Sequence, residues 1–278
     1  MSVKIYAFAD EANSRLEGQI EAMKRNSLDG LEIRQVNGKN VTKLTLDEAR
    51  GIKKQLDDAG LSVWSIGSPI GKIRITDDFA PHAEVFRHTL EVADILEAPC
   101  MRIFSFFIPE GEDAADYKNE VMDRLGRLCE LSAGSKIKLC HENEKGIYGD
   151  TAARCKEILD ALPSLYGVFD PANFIQCGEN TTAAWELLKD RVYYLHIKDA
   201  LENKSVVPAG MGIGNLPFIL GDYISRGGVA VSLEPHLKVF DGLASLEREG
   251  ERSVVDDCSY PTKDAAFDAA CNALRRII

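Results

Sequence analysis

Short, mostly apolar runs alternate along the chain with longer stretches in which apolar positions recur at helical spacing. The runs VKIYAF (3–8), GLEI (30–33), SVWSI (62–66), CMRIF (100–104), KIKLC (136–140), YGVF (166–169), VYYLHI (192–197) and GVAVSL (228–233) predict eight strands. Between them, LEGQIEAMKRN, TLDEARGIKKQLDDAG, HAEVFRHTLEVADILEA, YKNEVMDRLGRLCELSAG and TAARCKEILDAL predict helices, several closing on glycine or another small residue suited to a helix end. Asp150 and Thr151 supply a helix start after the fifth strand. Each connection is long enough to carry a helix, which parallel strands require and a hairpin does not. Eight such units predict closure into a (β/α)8 barrel forming a single domain over 1–278. A doubly wound open sheet is the second choice, because FADEAN rather than a G-x-G-x-x-G turn follows the first strand. The segment 237–264 shows no strand pattern and is expected to cross the surface into a last helix at 263–277.

In a parallel barrel the carboxyl ends of the strands form the mouth, so a polar residue that closes an apolar run marks a candidate site. Four consecutive strands close this way: His141-Glu142-Asn143, Asp170-Pro171-Ala172-Asn173, His196-Ile197-Lys198-Asp199 and Glu234-Pro235-His236. Strands five to eight are neighbours, so Glu142, Asp170, His196 and Glu234 are expected to converge. Three carboxylates and an imidazole suit a divalent metal ion, Mn²⁺, Mg²⁺, Co²⁺ or Zn²⁺, with positions left over for substrate oxygens. Taken singly, each residue has an ordinary alternative. Glu142 can pair with Lys138 or Lys145, Asp170 can cap the next helix, Glu234 can pair with Lys238, and a lone histidine is more often structural.

The formal net charge of -11 and pI near 5.0 argue against nucleic acid or an anionic membrane as partner. The first residues are too polar for a signal peptide or membrane span, so the expected location is cytoplasmic. Seven cysteines form no C-x-x-C pair and are expected to be reduced and mostly buried.

With these motifs in view, the sequence resembles the xylose isomerase-like superfamily of TIM barrels. That group holds sugar phosphate isomerases and epimerases, hydroxypyruvate isomerase, inosose dehydratase and endonuclease IV. HENEKGIYGDT (141–151), FDPANF (169–174), HIKD (196–199), PAGMGIG (208–214) and SLEPHL (232–237) carry the resemblance, which spans nearly the whole chain. It implies that Glu142, Asp170, His196 and Glu234 ligate the metal. It also implies that Glu142 and Glu234 are catalytic, moving a proton beside a carbonyl through an enediolate that the cation stabilises. The implied activity is isomerisation or epimerisation of a sugar, sugar acid or sugar phosphate; the alternatives are a lyase such as an inosose dehydratase and a sugar-binding barrel without catalysis. Two positions depart from the ketose 3-epimerases, where a His and an Arg are common and this chain has Asn173 and the stretch Ala200-Leu201-Glu202. Endonuclease IV relatives need further His ligands, which five histidines and an acidic surface do not supply.

The remaining candidates are substrate contacts at the mouth. Lys198 shares a strand face with His196 and can hold a substrate group or pair with Asp199. His236 stands in the same relation to Glu234, and Asn173 follows the Asp170 turn. Glu32 and Arg34 close the second strand and can bind substrate or each other, while Arg102, inside an apolar run, needs a carboxylate or anionic partner. Trp64 and Ser68 can wall the sugar, although a strand tryptophan is more often core. PAGMGIG lacks the Lys-Ser/Thr of a P-loop and is expected to act as a lid. The partner is a small sugar-like molecule, and a homo-oligomer is compatible with the sequence.

Overall fold

Eight parallel strands follow one another around a closed barrel in chain order: β1 (Lys4–Ala7), β2 (Gly30–Ile33), β3 (Ser62–Ile66), β4 (Cys100–Ile103), β5 (Lys138–Glu142), β6 (Tyr166–Phe169), β7 (Val192–Ile197) and β8 (Ala230–Leu233). The ring closes where Lys4 pairs with Ala230 and Ala7 with Leu233. This computed structural model describes residues 3–240 and 259–278. The (β/α)8 TIM barrel read from the alternation is therefore the observed fold. Among the described residues no helix is long and apolar enough to cross a membrane.

The helices are α1 (Leu16–Arg25), α2 (Leu46–Ala59), α3 (Phe79–Ile95), α4 (Lys118–Ser132), α5 (Ala152–Ala161), α6 (Pro171–Gln176), α7 (Thr181–Leu188), α8 (Leu216–Ser225) and α9 (Lys263–Arg275). Local chemistry sets their ends. Thr45 and Glu48 form a reciprocal capping box at the start of α2, and Gly60 closes that helix in the left-handed conformation, φ 73°. Thr151 caps α5 through its hydroxyl. Helix and strand faces bury a continuous apolar shell that includes Met23, Leu56, Phe86, Leu125, Trp185 and Phe267. Each such side chain contributes roughly 1.5–3 kcal/mol.

Three boundaries differ from the sequence reading in ways that matter for the site. The run read as 136–140 is a strand at Lys138–Glu142, because Cys100 of β4 pairs with Lys138 and Ile103 with His141, which draws His141 and Glu142 into the ladder. A short helix, α6, not expected from the sequence, begins directly after β6, where Asp170 caps it and Pro171 occupies its first turn. Most of 237–264 lies outside the described residues, and the last helix ends at Arg275 rather than 277.

The barrel interior is layered. Tyr6, Trp64, Cys100, Cys140, Val168 and Tyr194 form one apolar cluster. Five of them stand two residues before Phe8, Arg102, Glu142, Asp170 and His196, so the Phe8 ring and four polar groups occupy the next layer toward the mouth. The expected substrate contact by Trp64 does not fit this arrangement. Its ring lies in the lower layer, stacked 5.4 Å from both Tyr6 and Tyr193. Six cysteines in the described residues are unpaired, with Cys129 and Cys177 only half-buried.

Candidate active site

Barrel closure brings Glu142 (end of β5), Asp170 (after β6), His196 (β7) and Glu234 (after β8) together, with one potential ligand atom from each lying within 4.8 Å of the others. All four are buried. Asp170 divides its work. Oδ1 accepts the Asn173 amide as helix cap, and the Asn143 side chain brackets its backbone with bonds of 3.0 Å in each direction. Oδ2 is left facing the cluster, as is Glu142 Oε2, and neither accepts a hydrogen bond of proper geometry. Asn173 donates to Asn143 O at 2.9 Å and more weakly to Glu142 Oε1 at 3.3 Å.

Three buried cations interleave with these carboxylates. Lys198 Nζ stands 2.8 Å from Asp170 Oδ2 and 2.8 Å from Glu234 Oε2, and no contact to Asp199 replaces this pairing. The approach to Asp170 is ionic, off the line that a hydrogen bond needs. Arg102 Nη1 lies 3.1 Å from Glu142 Oε2 and 3.9 Å from Glu234 Oε1, with Nη2 anchored on the carbonyls of Gly67 and Ser68. The carboxylate partner expected for this buried arginine is thus Glu142. Arg34 binds Asp10 (2.8 Å), Glu234 (3.0 Å) and Glu11 (3.2 Å). Its guanidinium and that of Arg102 both lie over the Phe8 ring.

Two sequence expectations are corrected by these contacts. Glu32 and Arg34 do not pair with each other: Glu32 accepts from Tyr194 at 2.7 Å and meets His196 Nε2 at 3.0 Å. Ser68 is fully buried and donates to Arg102 O at 2.6 Å, so its hydroxyl holds the backbone of β4 instead of facing the mouth. His236, at φ 46°, is held by its backbone amide on Glu11 Oε2 at 2.7 Å. Its Nε2 lies 3.4 Å from Glu11 and 3.5 Å from Glu234 and makes no hydrogen bond. Glu11, Glu234 and His236 also each offer one potential ligand atom within 4.8 Å of the others. The Arg34 guanidinium already spans Glu11 and Glu234, however, and supplies the positive charge there.

The PAGMGIG segment is not a free lid. The Asp199 carboxylate accepts the amides of Gly210 (3.0 Å), Gly212 (3.0 Å), Gly214 (2.9 Å) and Ala200 (2.9 Å). A Cβ on Gly212 would fall 2.3 Å from Ala200 O and 2.4 Å from Asp199 Oδ1, so glycine is required by close approach.

Burial and charge set the protonation states. Burial raises the Glu11 carboxyl to about 8, with Arg34 opposing, so it carries a proton at neutral pH. Burial likewise lifts Asp170 to about 7 against the pull of Lys198. Burial also acts on Glu142, but the His196 and Arg102 charges override it and hold the carboxyl down at about 2. For His196 the two flanking carboxylates, Glu142 and Glu32, outweigh desolvation and raise the imidazole well above its ordinary value.

The donor set fits a divalent cation. Around the cluster, six buried carboxylates, Asp10, Glu11, Glu32, Glu142, Asp170 and Glu234, are interleaved with three buried permanent cations, Arg34, Arg102 and Lys198. With Glu11 neutral and His196 charged, the carboxylates still outnumber the cations by one, and two carboxylate oxygens stand without hydrogen bonds in the middle of the group. Glu142, Asp170, His196 and Glu234 are the residues that would hold such an ion.

A family model described as xylose isomerase-like TIM barrel matches residues 20–253. The chain belongs to that family. No curated protein matches this barrel. Among solved structures, the probable 3-DHS dehydratase AsbF from Bacillus anthracis is similar with TM-score 0.74 at 16% identity, covering 99% of each chain. The IOLI protein with a bound zinc atom gives TM-score 0.74 at 15% identity over 99% of this chain and 98% of that one. A D-allulose 3-epimerase from Methylomonas sp. in complex with D-allulose gives 0.72 at 15%, over 99% and 96%. At these identities the likeness is one of fold.

Asp10, Glu11, Asn143, Tyr194 and Asp199 were not singled out from the sequence. The acidic pair in FADEAN, directly after β1, was the available signal for the first two.

Proposed function

We propose that this xylose isomerase-like barrel isomerises or epimerises a sugar, sugar acid or sugar phosphate by proton transfer next to a carbonyl, with a divalent cation held by Glu142, Asp170, His196 and Glu234. The supporting observation is the cluster itself: an imidazole and three carboxylates within 4.8 Å at the barrel mouth, two of them ionised and contacted by one guanidinium. When bound, the cation supplies Lewis acidity, drawing electron density from the substrate carbonyl and the adjacent hydroxyl.

The rest of the chemistry belongs to the side chains. Glu142 and Glu234 both sit well below the ordinary carboxylate range despite burial, because His196 and Arg102 act on the first and Lys198 leads the charges acting on the second. Both are therefore carboxylates, the form that accepts a proton from carbon, although the same charges that ionise them also weaken them as bases. One takes it from the carbon beside the carbonyl. Inversion requires the other glutamate to carry a proton when substrate is bound, which it delivers to the opposite side of the same carbon while the first keeps the proton it took; return by the first to the neighbouring carbon, with a proton passing from the hydroxyl oxygen to the former carbonyl oxygen, exchanges aldose and ketose. The Arg102 guanidinium, 3.1 Å from Glu142 and 3.9 Å from Glu234, holds both carboxylates toward the substrate.

The test is incubation of protein loaded with Mn²⁺, Mg²⁺, Co²⁺ or Zn²⁺ with ketoses, keto-acids, inososes and their phosphates in D₂O. Deuterium entering beside the carbonyl, lost in both Glu142→Gln and Glu234→Gln, is the expected result. Loss of water with formation of a conjugated product would replace this reading by a lyase. Binding without exchange for the whole panel would replace it by a sugar-binding barrel.

A further inference from the structure

We propose that Glu32 is a positioning residue that fixes the ring orientation and tautomer of His196, so that Nδ1 is the nitrogen presented to Glu142, Asp170 and Glu234. The inference rests on reading those four residues as a cation site.

An imidazole offers two nitrogens, and the partner of one decides the role of the other. His196 Nδ1 faces the cluster, 2.9 Å from Glu142 Oε1, 3.7 Å from Glu234 Oε2 and 4.0 Å from Asp170 Oδ2. Nε2 points the opposite way, 3.0 Å from Glu32 Oε2. A proton on Nε2 donated to that carboxylate leaves the Nδ1 lone pair free for ligation, whereas a tautomer protonated on Nδ1 does not. The Phe8 and Tyr194 rings meet the imidazole edge to face at 5.3 and 5.4 Å, which restricts its rotation.

Glu32 is itself fixed. Its second oxygen accepts from the Tyr194 hydroxyl at 2.7 Å, and that hydroxyl lies 3.0 Å from Ser65 Oγ. Ser65, Glu32, Tyr194 and His196 are each fully buried, so a closed chain links β3, β2 and β7 behind the cluster. With both oxygens engaged and no solvent access, Glu32 is placed to act on His196 rather than on substrate. A register shift between Leu31 and Glu32 in the pairing of β2 with β3 coincides with this position. A carboxylate behind a ligating histidine raises the basicity of the ligand, and its removal typically costs about 10–100-fold in metal affinity.

The experiment measures Zn²⁺ affinity by calorimetry for wild type, Glu32→Gln and Tyr194→Phe, with circular dichroism to confirm folding. The His196 tautomer in the Zn²⁺ complex is read from long-range ¹H–¹⁵N couplings. Wild type is expected to carry its imidazole proton on Nε2. Glu32→Gln is expected to bind at least tenfold more weakly and Tyr194→Phe a few-fold more weakly, the weaker effect following from an intact but looser Glu32. If Glu32→Gln does not fold, Tyr194→Phe and the wild-type tautomer decide alone. Unchanged affinity in the folded variants, or an imidazole proton on Nδ1 in the wild type, overturns the inference. A wild type that binds no Zn²⁺ or Mn²⁺ is a different result, since it removes the cation reading itself.

Discussion

Lys198 and Asp170 stand 2.8 Å apart, ammonium to carboxylate, and the same ammonium is 2.8 Å from Glu234. One side chain therefore contacts two of the four proposed cation ligands. Lys198→Met would leave two buried carboxylates without their nearest counter-charge, and breaking a buried pair in this way costs about 3–5 kcal/mol. The expected outcome is a large loss of stability in chelator, much of it restored by saturating Mn²⁺. Denaturant midpoints with EDTA and with Mn²⁺ measure it, and equal losses in both would show that Lys198 and the cation do not share these carboxylates.

Asp199 ties the glycine loop to the barrel by accepting the amides of Gly210, Gly212 and Gly214 as well as Ala200. Asp199→Asn replaces one acceptor oxygen with an NH₂ that faces donors, losing hydrogen bonds to a charged group worth about 1.5–3 kcal/mol each. Hydrogen exchange at these glycine amides is expected to accelerate at least tenfold. Protection equal to wild type would mean that the loop is held by other contacts.

His82 provides a pH-dependent contribution far from the cluster. Burial, aided by the Arg124 charge, lowers its imidazole to about 4, and the neutral ring accepts the Gly71 amide at 2.8 Å. The unfolded chain takes up this proton near 6.5, the folded one only near 4, so the stabilisation is complete above about 6.5 and is lost as pH falls toward 4. His82→Gln keeps an acceptor but cannot titrate. Its stability relative to wild type is expected to improve by about 1–2 kcal/mol between pH 7.5 and 4.5, a figure discounted for partial exposure. Parallel curves for the two proteins over that range would rule out this role.

Trp64 separates the layers of the barrel. Because its ring is stacked between Tyr6 and Tyr193 in the layer below His196, Trp64→Leu should cost about 2–4 kcal/mol of stability through lost packing. Cation affinity is expected to stay within about threefold, a change of about 0.6 kcal/mol. A larger change would place Trp64 in the site after all.

The fold was legible because alternation of apolar runs with helical stretches is a property of composition at fixed spacing. The four clustered residues were legible because each closes a strand at the barrel mouth. Their partners were not. Whether Glu32 meets Arg34 or reaches His196 depends on distances across the barrel and on the irregular register at Leu31/Glu32, neither of which is written in the local pattern. The glycines at 210, 212 and 214 suggested freedom, yet they serve to bring amides onto Asp199 without a Cβ clash, and only the folded loop distinguishes the two uses. Asp10 and Glu11 lie in a turn of 3₁₀ helix beyond the end of β1, outside the alternation that marked the other acidic residues.

That acidic pair makes the Arg34 network the most direct test of how charge is balanced in the site. Arg34 is fully buried and binds Asp10, Glu11 and Glu234 at once, an arrangement that the fork of a guanidinium allows and an ammonium does not. Burial of three carboxylates around one cation is relieved by the proton that Glu11 holds up to about 8. Arg34→Gln should therefore destabilise the protein by about 3–5 kcal/mol, because uncompensated carboxylates remain. Glu11→Gln alone should be mild near neutral pH, since it replaces a carboxyl that is already uncharged. Combining the two should recover little of the loss below pH 7, where Glu11 is protonated, and more above pH 9, where an ionised Glu11 would face Asp10 and Glu234 without its arginine. A double-mutant cycle of denaturation free energies at pH 6.5 and 9 reads this coupling, expected to grow by at least about 1 kcal/mol at the higher pH. A coupling energy that does not change with pH would mean that Glu11 keeps one protonation state across that range, and the charge balance of the site would have to be counted again.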